Sequence, residues 1–422
     1  MEHCHARYGE IFTLRVRRRR PWVLLSNPEH IKQVFTTAPE LVGAGAGEVN
    51  PLLGPLLGPS SVMLLDEPRH MQDRKRITPA FHGALMDRYG EMMVAVTREA
   101  IAGWPLGEPF PLWPRMQAIS HEIVMRATFG SVDGERFDLL RERLVTLTNW
   151  INQPRRLALL AAVGSRSIGA SRAFREVMEP VERLVLEEVH ERRRAGYLER
   201  LNGSGDFEGI LATLERSHAA SGVPMSESKL RDELITLVSD GPTATSLAWA
   251  FERLLRYPDK FARLRDEILL DETETYLDAV VKEVLRLCPA APLVMRRLME
   301  PLQIGPYTIP SDTIVAPSVY LTHLREDIYP NARSFEPERF LHRQPGTYSW
   351  IPFGGGARRC VAAVFAPLEM RKVIQTIVRE LDLRPARSDA ETPTRSWVSF
   401  VPDGGGMVVA ARRPVPQKEL AA

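Results

Sequence analysis

The stretch FGGGARRCVA, residues 353–362, decides how this chain is read: three glycines and two arginines run into Cys360 and then a helix-like segment. Glycine has no Cβ, so it lets a backbone bend sharply and lie close against a flat ligand. A cysteine just after such a bend, at the start of a helix, meets aligned N–H groups and the positive end of the helix dipole, which favour a thiolate. Taken alone, the stretch suits a turn before a helix with a small buried thiol equally well. It also lacks the lysine of a phosphate-binding loop.

The rest of the 422 residues limits what the cysteine can serve. Hydrophobic residues make up 44 %, charged residues 26 %, and the net charge is only +2, an ordinary globular balance with no field for nucleic acid. The one basic run, Arg15 to Pro21, lacks interleaved aromatics and reads as a solvated hairpin. No run approaches the ~20 apolar residues of a membrane span and no signal segment opens the chain, so the cytoplasm is the expected location. Cys4, Cys288 and Cys360 form no CxxC pair, which argues against a disulfide framework or a structural zinc site.

Helical periodicity dominates, as in 28–35, 86–104, 177–194 and 230–256. Strand-like pieces are short: WVLLS, LQIG before a PYTIP turn, TIVAP, WVSFVP and GMVVAAR. The expected fold is mainly α with small β-sheets, one unit spanning 1–422, with Gly43 to Ser61 as a long apolar loop packed over something. In ETYLDAVVKEVLRLCP, Leu277, Val280, Val281, Val284 and Leu287 mark one helix face, while Glu283 and Arg286 sit three apart and can pair. An exposed pair of this kind contributes only ~0.3 kcal/mol, so a third partner matters. FEPERF, residues 335–340, offers Arg339.

In this order the Glu283-x-x-Arg286 pair, FEPERF and the cysteine stretch resemble the cytochrome P-450 family of cysteine-ligated haem monooxygenases, of the soluble bacterial type. The similarity extends over most of the chain, although the family usually has a longer segment ahead of a stretch like RYGEIFTLRV, so the chain looks clipped there. The resemblance implies a single-domain cytochrome P-450 fold, with haem b (iron protoporphyrin IX) between a long central helix and the cysteine-loop helix. It makes Cys360 the axial thiolate, whose electron donation favours O–O cleavage. Glu283, Arg286 and Arg339 become a structural triad that fixes the loop scaffold. For the propionates it implies His70 and Arg74, at i and i+4 in DEPRHMQDRKR, together with Arg358 and Arg296, the last with Arg297 as competitor. Phe353 is implied beside the sulfur, Gly354 in the bend, and Ala362 where glycine is usual. Pro367 falls in the following helix, where an interior proline costs ~3 kcal/mol if uncompensated.

One motif departs from the family. The helix crossing the oxygen-binding face carries A/G-G-x-D/E-T in relatives, but this chain reads LVSDGPTATSLAWAF, 237–251. Anchored on Leu247 to Ala250, the acid and threonine positions fall on Gly241 and Pro242. Anchored on Gly241, Thr243 is the alcohol and the acid is missing or displaced to Asp240. The second register is preferred, because Pro242 kinks the helix and leaves Thr243 free to reach the pocket. The pocket walls implied by the family are apolar and include Leu293, Val294 and Phe400, so the expected substrate is a hydrophobic small molecule of secondary metabolism. No fused redox segment is present, so electrons are expected from a ferredoxin with its NAD(P)H reductase, and the chain is expected to be a monomer. A peroxygenase, or an isomerase or dehydratase that needs no dioxygen, is one alternative; a non-enzymatic haem sensor is another.

Overall fold

Asn27 and Pro28 illustrate how local chemistry starts elements here. The Asn27 side chain accepts the Glu29 N–H at 2.8 Å and Pro28 has no N–H to satisfy, so a helix begins at Pro28. It buries Ile31, Val34 and Phe35, which share one face. The structure, a computed structural model, describes all residues except 16–19, 45–52, 84, 131–133, 152, 154–164, 195–208, 221–224, 240–241, 272, 397–398 and 414–422.

Among the described residues the α-helices are α1 (Glu2–Tyr8), α2 (Pro28–Thr36), α3 (Leu53–Leu57), α4 (Arg69–Ile77), α5 (Leu85–Ala102), α6 (Leu112–Phe129), α7 (Glu135–Ile151) and α8 (Ser165–Ala170). They continue as α9 (Arg172–Arg194), α10 (Ile210–Ala220), α11 (Glu227–Val238), α12 (Pro242–Arg256), α13 (Pro258–Asp266), α14 (Thr275–Leu287), α15 (Val319–His323) and α16 (Phe365–Glu380). The strands are β1 (Ile11–Leu14), β2 (Trp22–Leu25), β3 (Val42–Gly43), β4 (Pro109–Pro111), β5 (Arg296–Leu298), β6 (Leu302–Ile304), β7 (Tyr307–Ile309) and β8 (Ile314–Pro317). At the C-terminal end come β9 (Leu381–Pro385), β10 (Pro393–Ser396), β11 (Ser399–Pro402) and β12 (Met407–Arg412).

The mainly helical expectation holds, with small sheets. One sheet runs β1-β2-β8-β5-β3, another β4-β12-β9, and β6–β7 and β10–β11 are two-stranded. Within the first, β2 and β8 are parallel and the remaining pairs antiparallel. The antiparallel β1–β2 pairing is the hairpin expected around the basic run, of which residues 16–19 lie outside the described residues. The PYTIP segment is not only a turn: Tyr307–Ile309 is β7, folding back on β6. Of the 43–61 segment, 53–57 is helical, with Leu53, Leu56 and Leu57 buried; 45–52 lie outside the described residues.

Two helix readings are corrected. The run 230–256 is two helices, α11 ending at Val238 and α12 beginning at Pro242. Pro242 has no N–H and its ring would clash with the carbonyl four residues back, which disfavours a helix running through it, whereas the first helical position suits it. Pro367 is the third residue of α16, inside the first turn, where N–H groups lack intrahelical acceptors. The cost foreseen for an interior proline does not arise.

The main core forms where α12 packs against α6, α14 and α16, and α16 against α5. Leu247, Phe251 and Leu254 from α12 meet Val373, Ile374 and Ile377 from α16, all fully buried. Each such side chain contributes roughly 1.5–3 kcal/mol on leaving water. A second cluster, with Val23, Leu25, Val34, Phe35 and Val315, lies under the five-stranded sheet. The segment 351–360 lies between α2 and the helical core. No helix among the described residues is long and apolar enough to cross a membrane.

Candidate functional site

The cysteine loop is shaped by its own backbone. Gly354 N bonds to the Ile351 carbonyl at 3.0 Å, Arg359 N to that of Gly356 at 3.1 Å, and Cys360 N to that of Phe353 at 2.9 Å, closing a compact turn. Gly354 and Gly356 both have φ 67, the left-handed region that favours glycine. A Cβ at Gly355 would stand 2.3 Å from the Phe35 ring, and one at Gly356 2.3 Å from the Phe35 carbonyl oxygen. The glycines at 355 and 356 are therefore demanded by close approach to α2, and not by a flat ligand alone. Phe35, which sequence reasoning did not single out, is the reason.

Cys360 is exposed and stands five residues before Phe365, so it is not at a helix start; residues 361–364 form turns, with Ala366 N bonded to the Ala362 carbonyl at 3.0 Å. The positive surroundings of the sulfur come instead from guanidinium groups. Burial pushes the Arg74 pKa down, the nearby Cys360 opposes this, and Arg359 adds to it. Such neighbours favour a thiolate as the helix dipole would have done. Phe353 is half-buried, its ring edge-on to Trp350 at 6.1 Å between centroids.

Beside this loop, four basic side chains from three parts of the chain converge: His70 and Arg74 on α4, Arg296 on β5, and Arg358. His70 and Arg296 are buried, as is the Arg358 side chain. Burial lowers the His70 pKa, and Arg358 lowers it further. Burial, with Arg358 nearby, brings that of Arg296 down to about 10. Arg296 donates to the Met295 carbonyl at 2.8 Å and lies 5.9 Å over the Phe35 ring. The acids opposing these charges are Asp66, 3.5 Å from Arg358 and 3.7 Å from Arg297, and Glu67, which takes His70 Nδ1 at 2.7 Å. Arg358 Nε is buried without a partner. The group is short of negative charge and has a donor to spare.

Glu283, Arg286 and Arg339 are brought together. Glu283 and Arg286 are both 0 % exposed and form a two-bond pair at 2.7 and 2.8 Å. Arg286 also donates to the carbonyls of His323, Ala332 and Ser334 at 2.7, 2.7 and 3.2 Å. Arg339 Nε reaches Glu283 Oε1 at 3.2 Å, as does Glu336 N at 2.9 Å. Unlike an exposed pair, a buried one costs about 3–5 kcal/mol when one partner is lost.

The remaining residues are dispersed. Thr243 is buried in the first turn of α12; Asp240 and Gly241 lie outside the described residues. Val294 packs on the loop, 3.5 Å from where a Gly354 Cβ would stand. Leu293 packs instead against the Phe12 and Leu24 cluster. Phe400 exposes its side chain, while its carbonyl accepts Trp249 Nε1 at 2.7 Å and so ties β11 to α12.

Comparison with known proteins gives concordant results. The family profile described as Cytochrome P-450 matches residues 1–408. Cytochrome P-450 135B1 of Mycobacterium tuberculosis and Mycobacterium bovis is 34 % identical over 98 % of this chain and 87 % of its own length. Cytochrome P-450 138 of the same organisms is 34 % identical over 96 % of the chain and 90 % of its own length. The solved structure of a retinoic-acid-bound cyanobacterial CYP120A1 superposes with a TM-score of 0.78 at 21 % identity, covering 98 % of this chain and 94 % of that one.

Proposed function

Because the chain belongs to the cytochrome P-450 family, whose cofactor is haem b and whose activity is monooxygenation, we propose that it uses Cys360 as the iron ligand and acts on a hydrophobic small molecule. Haem supplies reductive activation of dioxygen, from which one oxygen atom enters the substrate as a hydroxylation or epoxidation.

The observation that carries the residue assignment is the excess of cations beside the loop. The orphaned Arg358 Nε, with His70, Arg74 and Arg296 around it, suits a group bearing two carboxylates, as haem does. His70 commits its Nδ1–H to Glu67, and with its pKa lowered the ring stands beside the arginines as a neutral neighbour. In this reading Gly354, Phe353 and Ala362 border the sulfur and the ring edge. Val294 and Phe400 belong to the substrate walls, Leu293 backs them from the Phe12 and Leu24 cluster, and Thr243 would hold a proton at its hydroxyl, with Asp240 as the nearest acid in sequence. The Glu283, Arg286 and Arg339 group keeps the scaffold in place. Electrons come from a separate donor, a ferredoxin with its NAD(P)H reductase, and the chain works as a monomeric single domain in the cytoplasm.

That α11 ends at Val238 and α12 begins at Pro242 favours a second reading, a peroxygenase or an isomerase or dehydratase, since Thr243 then stands in the first turn of a new helix and not within one continuous helix. Cys360→Ser tests the ligand: the reduced, carbon-monoxide-bound spectrum is expected to lose its thiolate signature while haem is still bound in part. An unchanged spectrum assigns the iron to another residue. Titration of the haem protein with apolar compounds, read by the Soret shift, then gives the substrate class. Turnover of a hit with peroxide but not with dioxygen and reductant selects the second reading.

A further inference from the structure

One fully buried side chain joins the ion network to the cysteine loop. His323, at the end of α15, is 0 % exposed. Its Nδ1 is 3.0 Å from the Arg286 carbonyl oxygen, and its Nε2 is 2.8 Å from Ile351 N. A carbonyl only accepts and a backbone N–H only donates, so one tautomer satisfies both: Nδ1 carries the proton and Nε2 the lone pair. Burial keeps the ring neutral, pushing its pKa down to about 3. In the reverse direction, Arg286 donates from its guanidinium to the His323 carbonyl at 2.7 Å, so the two residues are tied twice.

On the other side of the ring, Ile351 opens the loop. Its carbonyl receives Gly354 N, and two residues on, the Phe353 carbonyl receives Cys360 N. Tyr329 and Trp350 also hold this segment, through the Ser349 carbonyl at 3.0 Å and the Lys282 carbonyl at 3.2 Å. His323 differs in that it accepts a backbone N–H of the segment while bonded to the residue that holds Glu283. The chain of contacts runs Glu283, Arg286, His323, Ile351, Phe353, Cys360, each link a hydrogen bond or two residues of backbone.

We propose that His323 is a positioning residue for the Cys360 sulfur, converting the buried Glu283–Arg286 pair into a fixed placement of the cysteine loop. The proposal rests on Cys360 being the iron ligand. Without the ring the loop would still close on itself, but its entry would be free to shift relative to α14, and a sulfur moved from its place would lose part of the held geometry and cationic surroundings that favour thiolate ligation.

Two substitutions separate positioning from bulk stability. Gln reaches as far as Nε2 and keeps an acceptor for Ile351 N; Asn reaches only Nδ1 and keeps the bond to the Arg286 carbonyl. In the holoenzyme, His323→Gln is expected to keep Ile351 amide exchange within about threefold of the parent and most of the thiolate signature in the reduced carbon-monoxide spectrum. His323→Asn is expected to speed that exchange at least ~10-fold and move a large share of the population to the thiol signature, at a melting temperature close to that of the Gln variant. The proposal is overturned if the two variants show equal thiolate shares, whether both match the parent or both fall in step with melting temperature. A thiolate signature that survives Cys360→Ser sinks the ligand assignment itself, and the proposal with it, irrespective of the His323 series.

Discussion

At the scale of a single residue, the neutral ring of His323 makes a statement about pH. In the folded protein it stays unprotonated down to about pH 3, because burial outweighs the favourable bond to the Arg286 carbonyl. An unfolded imidazole takes up a proton near pH ~6.5. Between those values the unfolded state binds more protons, so this group makes stability fall as pH drops through the window, by up to ~1.4 kcal/mol per pH unit; above it the group adds no pH dependence. Urea midpoints at pH 7.5 and 5.5 provide the check. The parent is expected to lose about 1 kcal/mol more than His323→Gln over that interval, and equal losses would place the titrating group elsewhere. Nothing in LTHLRED marks this histidine, since both of its partners are backbone atoms distant in sequence and backbone groups carry no sequence signal.

At the scale of an element, the meeting of α2 with the cysteine loop has a separable logic. At Gly355 the obstacle to a side chain is the Phe35 ring; at Gly356 it is the Phe35 carbonyl together with a φ of 67. Gly355→Ala is thus expected to destabilise the loop by a few kcal/mol, roughly the scale of core overpacking, and to add little further loss in a chain already carrying Phe35→Ala, whose own cavity costs about 3–5 kcal/mol. Gly356→Ala is not expected to be rescued, because Phe35→Ala leaves the carbonyl in place. A double-mutant cycle on thermal stability reads both. The same contact shows what the sequence conveyed. Motif order placed the bend at 353–362, and proline chemistry placed the interruption near 242, correctly as a disturbance and too mildly as a kink. The neighbour that needs the glycines to be bare lies some 320 residues earlier, and only tertiary packing brings it there. Likewise the Glu283 and Arg286 spacing suggested a pair, while its value comes from complete burial, which spacing does not encode.

At the scale of the whole molecule, the cation group draws on α4, β5 and the loop, and so joins the helical core to the sheet side. Three guanidinium groups in one place, those of Arg74, Arg296 and Arg358, opposed by Asp66 and Glu67, repel one another until an anion arrives. Loss of haem is therefore expected to loosen all three elements together. Hydrogen exchange on apo and holo protein should show protection lost at 69–74, 296–298 and 353–360 and retained in α12 and α16. Protection lost at the loop alone would mean that the three elements are held independently of the cofactor. The cationic side chains were legible through the motifs they sit in. The carboxylates that temper them were not, because Asp66 and Glu67 gain their meaning only when α4 is set beside residues from the last third of the chain.

The parallel pairing of β2 with β8 also has a consequence in time. Trp22–Leu25 meets Ile314–Pro317, strands separated by roughly 290 residues. At ~5–20 residues per second of synthesis, the N-terminal hairpin waits on the order of 15–60 s on the ribosome before its neighbour exists. During that interval one edge of β2 carries backbone donors and acceptors with no mate, the kind of edge that recruits foreign strands. Slower synthesis lengthens the exposure of that edge, so the yield of folded enzyme is expected to fall when translation of residues 26–313 is slowed.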